Sequence, residues 1–200
     1  MFPEYLHSLK LVCGEQMLTL DENGDGSFAE YVESLIVDSA REAAEYGIDI
    51  PKEAGILLCA GTVDFEKYNA YITRLKTPPS FDGMQLETVE NELFGDIDVA
   101  ARHFAAYAKR NGAGEIAPKE QIALMNPMHF TQNKGCVQHF RIRHGAADRD
   151  TSFAISAMLV LKLREAGKTV DYKLPWGVPH SGNYDLKELF AWIDSLILND

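Results

Sequence analysis

The apolar positions of this 200-residue chain follow two different rhythms, and the change between them falls near Gly114. Before that point the spacing is mostly helical. Phe28, Tyr31, Val32, Leu35 and Ile36 return every three to four residues, as one buried helix face requires, until Gly47 stops the run. Ser27-Phe-Ala-Glu30 in front of them reads as a capping box, a hydroxyl and a carboxylate each taking an orphan N–H of the first turn. A second helix is expected behind Asp64 as its cap, with Tyr68, Tyr71, Ile72 and Leu75 on one face. Ile56-Leu-Leu-Cys-Ala60 is a short strand or one arm of a hairpin. From Lys76 to Gly95 the pattern predicts a long polar loop, a length usually functional or disordered in compact domains. A further helix is expected over Asp98 to Lys109, stopped by Asn111 and Gly112.

Beyond Gly114 strands and helices alternate. Pro118 suits a first helical position, so Lys119 to Leu124 reads as a short helix ended before Pro127. Then come an expected strand over Val137 to Arg143, a helix over Thr151 to Glu165, a strand over Thr169 to Leu174 and a helix over Leu186 to Leu196. Two strands joined by a helix of that length form a right-handed unit with the strands parallel. Such a pair cannot stand alone, because parallel sheets are covered on both faces and their edges need partners. The fold class expected is therefore α/β, with residues 114–200 as the end of a larger parallel sheet and residues 1–113 as a mostly helical segment attached to it.

Composition narrows the partners. The net charge is −11, which repels a phosphate backbone and an anionic lipid surface alike, so nucleic acid and membrane are not expected partners. No uncharged run approaches the length that crosses a bilayer, and the first residues lack the basic and apolar regions of a signal sequence. A soluble protein is expected, cytoplasmic or secreted. Cys13, Cys59 and Cys136 are odd in number and widely spaced, so neither a zinc site nor a disulfide framework is indicated; they read as small buried apolar residues.

The candidate chemistry sits in two loops, within Phe140–Asp150 (FRIRHGAADRD) and Tyr172–Tyr184 (YKLPWGVPHSGNY). Each follows the C-terminal end of an expected parallel strand, where α/β folds place ligands and catalytic groups. Asp148 and His180 are thereby placed as an acid and an imidazole able to meet. This is the order in which an α/β-hydrolase presents the acid and base of its triad, after an earlier serine. Singly, each residue is equally well a solvated loop carboxylate or a turn residue, with Asp150 or Thr151 a natural cap for the following helix. His139 and His144 compete for the base role, but they lie in or at the end of the strand just before Asp148. They are too near in sequence to fold back onto it and read as structural. None of the nine serines has glycine two residues before it, so the G-x-S-x-G nucleophile elbow is absent from these 200 residues. The chain reads as the back part of an esterase whose front part is absent.

RIRHGAADRDTS (Arg141 to Ser152), LPWGVPHSGNYDLKELFAWID (Leu174 to Asp194) and ALMNPMHF (Ala123 to Phe130) resemble the bacterial tannases of subtype B, serine esterases of the α/β-hydrolase superfamily that cleave galloyl esters. Weaker likeness runs through LTLDENGDGSFAEYV and DFEKYNAYITRLKTPPSFD. The resemblance implies a hydrolase core resuming at residue 114, preceded by a lid over residues 1–113. The triad serine and oxyanion hole would lie in a missing N-terminal part, so this chain alone is expected to be inactive. It implies Asp148 as triad acid, His180 as triad base, and Asp150 as a ligand of the galloyl hydroxyls. On looser grounds Lys76 and Glu90 are candidates for the lid lysine and glutamate that also bind the ring. Equally, Lys76 is a favourable helix-end cation and Glu90 a solvated loop acid. No cofactor is required by this chemistry. Two other readings stay open: a non-catalytic interaction module derived from the esterase, and an esterase for another aromatic acid such as a ferulate.

Asp21-Glu-Asn23-Gly-Asp25-Gly26 also matches the opening of a calcium loop, with oxygen ligands at alternate positions and glycine sixth. The twelfth position is Val32, where a bidentate glutamate belongs, and Glu30 already serves the expected capping box. Calcium on Asp21, Asn23 and Asp25 and a polar turn feeding a helix are both compatible with these residues.

Overall fold

A computed structural model of the chain describes residues 2–74 and 81–198. In chain order it contains α1 (Phe2–Leu9), a hairpin of β1 (Val12–Cys13) and β2 (Gln16–Met17), α2 (Ser27–Glu45) and a 3₁₀ turn (Lys52–Ala54). A second hairpin of β3 (Ile56–Leu57) and β4 (Thr62–Val63) leads to α3 (Phe65–Tyr71), α4 (Val89–Leu93), α5 (Ala106–Asn111) and α6 (Lys119–Met125). After a second 3₁₀ turn (Pro127–His129) come β5 (His139–Arg143), α7 (Phe153–Glu165), β6 (Thr169–Lys173) and α8 (Leu186–Ile197). The result is a mixed α/β arrangement.

The strands β5 and β6 pair in parallel, from His139 opposite Thr169 to Arg143 opposite Lys173, with α7 as the crossover. Because side chains alternate along a strand, the pair has two unlike faces. Phe140, Ile142, Val170 and Tyr172 share one, and Tyr172 packs into the apolar core. Arg141, Arg143 and Asp171 share the other, where Asp171 and Asp185 neutralise both guanidiniums. Among the described residues β5 has no strand on its other edge. Eight of the twelve residues of α8 are apolar, yet none is buried, and Phe190 and Ile197 stand exposed.

The core has two parts, bridged by α2 and α7. Ile36, Val37, Tyr68, Phe153 and Leu174 form one, beneath the ends of β5 and β6. Leu6, Leu11, Phe28, Met158 and Leu161 form the other. Asp64 caps α3 through the Lys67 N–H, as its position before the helix implies, and Tyr68 and Ile72 are buried on its inner face. Leu75 and Lys76 lie outside the described residues.

Several local expectations are revised. No capping box forms at Ser27: Gly26 holds the N-cap position, and the Ser27 hydroxyl accepts instead from the Thr19 N–H at 2.9 Å. The segment after residue 80 is more than a loop, because Thr88 and Asn91 form a true capping box over α4. Residues 98–105 are not helical. The Phe104 and Ala105 N–H groups donate to Asp82 Oδ2, at 2.8 and 2.7 Å, and this remote acid delays the helix until Ala106. Helix α7 starts at Phe153, capped by Ser152 rather than by Asp150 or Thr151. The cysteines are free, but Cys13 and Cys59 are exposed and Cys136 is half-buried. Cys13 ends β1 at the first hairpin turn, and Cys59 lies within the β3–β4 connection. No helix among the described residues is long and apolar enough to cross a membrane.

Candidate active site

The loops after β5 and β6 are joined backbone to backbone. The Ala146 N–H donates to Pro175 O and the Ala147 N–H to Val178 O, each at 2.9 Å. Helices α2 and α3 hold them from below: Ser39 donates to Leu174 O, and the buried Tyr68 hydroxyl donates to Ala146 O at 2.6 Å. Burial pushes the Tyr68 phenol well above its ordinary range, so it remains a donor. Arg74, at the end of the first described segment, donates to Thr151 O at 2.6 Å.

On this frame Asp148 Oδ2 lies 2.9 Å from His180 Nδ1. The carboxylate is almost wholly buried, whereas the imidazole is half exposed. Asp148 Oδ1 accepts from the Asp150 and Thr151 N–H groups at 2.8 and 2.9 Å, which fixes the plane of the carboxylate. Burial pushes the Asp148 carboxyl up, but the Thr151 N–H, His180, the Asp150 N–H and His144 together outweigh it and hold it below its ordinary range. An ionised acid facing Nδ1 puts the imidazole proton on that nitrogen, leaving the Nε2 lone pair to take a proton from elsewhere. An open cavity of about 520 Å³ adjoins the pair, lined by Arg141, Arg143, His144, Asp148, His180 and Tyr184 among others. The residue after the histidine, Ser181, adopts φ 63°, a left-handed conformation uncommon for a side chain of its kind.

The sequence-expected residues do not all converge. Asp150 does: one ligand-capable atom from each of Asp148, Asp150 and His180 lies within 4.8 Å of the others. Neither Asp150 nor Glu90, which sits in the first turn of α4, is among the residues lining the cavity. Lys76 is outside the described residues.

His144 is a correction. Although only four residues before Asp148, its Nε2 approaches the same Oδ2 at 3.1 Å, because Gly145 to Asp148 form a tight turn closed by the Asp148 N–H on Gly145 O. The signal was present as a glycine directly after the histidine.

In the Asp21–Asp25 turn, Asp21 Oδ1 accepts from the Asn23 and Asp25 N–H groups at 2.8 and 2.9 Å. Those bonds hold the Asp21 carboxyl below its ordinary range, the Asp25 N–H first. Glu30 and Glu33 are the two acids near the missing twelfth-position ligand: Glu33 accepts from the Val63 N–H, and Glu30 is free of the capping box expected to occupy it.

No protein-family model and no curated protein matches the chain. Solved structures do. A tannin acyl hydrolase from Lactobacillus plantarum superposes with TM-score 0.90 at 43% identity, over 98% of this chain and 44% of that one. A Fusobacterium nucleatum tannase gives 0.88 at 40%, with the same coverages. A tannin acyl hydrolase in complex with ethyl gallate gives 0.90 at 43%, again over 98% and 44%. The chain thus spans less than half the length of these relatives.

Proposed function

Over the stretch it spans the chain belongs to the bacterial tannases, and we propose that it supplies the acid and base of a serine carboxylesterase acting on galloyl or related aromatic esters. The observation that carries this is the 2.9 Å contact of Asp148 with His180 across the ends of two adjacent parallel strands.

In this reading residues 114–200 are the C-terminal end of an α/β-hydrolase core and residues 1–113 belong to its lid. The unpaired edge of β5 and the uncovered apolar residues of α8 suit a sheet that continues in other polypeptide. The serine comes from outside residues 1–200. His180 Nε2 takes the serine proton as Oγ attacks the ester carbonyl, and Asp148 stabilises the imidazolium formed. The same proton passes to the leaving alcohol, and water clears the acyl-enzyme with His180 again as base. The relatives bind ethyl gallate and 3,4-dihydroxybenzoate; transferred here, such a ring would meet Asp150 at the edge of the pair, with Glu90 and Lys76 as lid ligands.

The test is an assay on methyl gallate, with the chain alone and joined to an upstream hydrolase segment carrying a G-x-S-x-G serine. The chain alone should be inactive. The joined protein should turn over, and His180→Ala should lower kcat by about 10⁴-fold. Equal turnover with and without His180 overturns the proposal.

A further inference from the structure

The loop that carries Asp148 is gripped on both flanks from one short helix far away in sequence. From α3 the buried Tyr68 hydroxyl donates to Ala146 O at 2.6 Å, two residues before the acid. Three residues past the end of the same helix, Arg74 donates from its guanidinium to Thr151 O at 2.6 Å, three residues after the acid. The two bonds span 78 and 77 positions of the chain.

Thr151 matters because the acid is built onto its backbone. Asp148 Oδ1 accepts from the Asp150 and Thr151 N–H groups at 2.8 and 2.9 Å, so the carboxylate plane moves with those peptides. The Thr151 hydroxyl oxygen also stands 3.4 Å from His180 Nδ1, which puts this one residue against both members of the dyad. On the other flank the Asp148 N–H closes a turn on Gly145 O at 3.0 Å, and Ala146 lies inside that turn.

Besides the direct contact between the two loops, the base is held from another helix. Ser39 of α2 donates to Leu174 O, at the start of the loop that carries His180. The meeting of acid and base therefore depends on how α2 and α3 sit together, and Ile36, Val37, Tyr68 and Ile72 belong to the one buried cluster that joins them. Burial pushes the Arg74 guanidinium below its ordinary range, and the charges of Asp148 and Asp150 act against that shift. The cation thus stands close to the acid as well as to Thr151.

We propose that Tyr68 and Arg74 are positioning residues: α3 and the turn after it bracket the Asp148 loop at Ala146 O and Thr151 O, and so set the direction in which the acid meets His180. The catalytic consequence rests on the esterase reading; the bracket does not. In that reading α3 belongs to the lid, so the lid holds the triad acid in place as well as covering the substrate.

The test is amide hydrogen exchange, followed by nuclear magnetic resonance, on the 200-residue chain. In the unsubstituted chain the Asp150 and Thr151 amides should be protected; exchange at the rate of a free peptide overturns the proposal, and this needs no variant to fold. In Arg74→Met, which keeps an apolar stem and removes the donor, both amides should exchange about tenfold faster, the loss of one charge-assisted bond. Tyr68→Phe should speed the Asp148 amide in the same way. Amides of buried α7 residues such as Leu161 should keep their rate in both variants. Equal acceleration at Leu161 would mark a loss of global stability alone and overturns the proposal, as do unchanged rates at Asp150 and Thr151 in folded Arg74→Met. In an active esterase containing this segment, Arg74→Met should lower kcat for methyl gallate about tenfold at constant KM, and Arg74→Lys, which still carries a donor, should recover part of it. A rise in KM with kcat unchanged would make Arg74 a ligand of the ring and overturns the proposal as well. Exchange needs no substrate, so the expected rates in a protein inactive on gallate would remove the esterase reading and leave the bracket standing.

Discussion

Gly145 lies directly beneath Val178: a Cβ on Gly145 would stand 2.2 Å from the Val178 carbonyl oxygen and 2.5 Å from that of Pro179. Both obstacles are backbone, so no side-chain rotation relieves them. The loop that carries His180 therefore rides on the only residue small enough to let it approach the Asp148 loop. Gly145→Ala should cost about 1–3 kcal/mol of stability by overpacking, and it should displace His180 from Asp148. Misplacement of about an ångström at a reacting group costs on the order of 100-fold. The expected result in an active esterase is a fall of that size in kcat with the fold retained, checked by kinetics beside thermal unfolding. Unchanged kcat would show that the loop contact does not set the dyad.

Acid should loosen this site in two steps of the same sign. His144 is held below the ordinary histidine range, first by burial, so the unfolded chain binds its proton first as pH falls below about 6.5. The stability His144 contributes is full above that value and is lost as pH drops through its folded value. Asp148 is also held low, so its contribution is full above about pH 4 and is lost below that, as pH falls through its folded value. Urea unfolding across a pH series checks both. In Asp148→Asn the lower step should vanish, and the difference from the unsubstituted chain should shrink toward the acid end.

The pairing of Asp148 with His180 was legible because it needs only local signals: two short apolar runs, a helix long enough to return the chain, and polar loops behind each strand. What escaped depends on partners far away in sequence or on turn geometry. The helix expected from Asp98 fails because Asp82 captures the Phe104 and Ala105 N–H groups from more than twenty residues away, which no periodicity reports. Ser27 was misplaced by one position because Gly26, at φ 137°, already turns the chain into the helix. His144 looked too close to Asp148 because spacing in an extended strand was carried into a tight turn. Glu90 and Asp150 were named on likeness, and only Asp150 lies within reach of the acid and base.

The Asp82 cluster should carry much of the order of the segment between α3 and α6. Its carboxylate, 2% exposed, takes His103 Nδ1 at 2.6 Å and Asn91 Nδ2 at 2.8 Å besides the two backbone donors. Asp82→Ala removes the acceptor of two buried side-chain donors and two part-buried backbone donors. Losing one partner of a buried charged network costs about 3–5 kcal/mol, and the loss should appear in urea unfolding followed by circular dichroism. A change under about 1 kcal/mol would mean that the segment is held by other contacts.

Substrate choice tests Asp150. A galloyl ring offers three O–H donors, and an ionised carboxylate accepts from them more strongly than a neutral group does. Asp150 is half-buried and within 4.8 Å of the acid and base atoms, so under the proposed esterase function it would be the group nearest the dyad able to accept from the ring. An unsubstituted benzoate ester has no such donors. In an active esterase containing this segment, Asp150→Ala should therefore lower kcat/KM for methyl gallate by about 10- to 100-fold, the value of one or two charge-assisted bonds, and leave methyl benzoate nearly unchanged. Asp150→Asn should fall between, since its amide keeps one accepting oxygen without the charge. Parallel losses on both esters would instead place Asp150 in the support of Asp148, whose Oδ1 already accepts the Asp150 N–H, and would remove it from ring recognition.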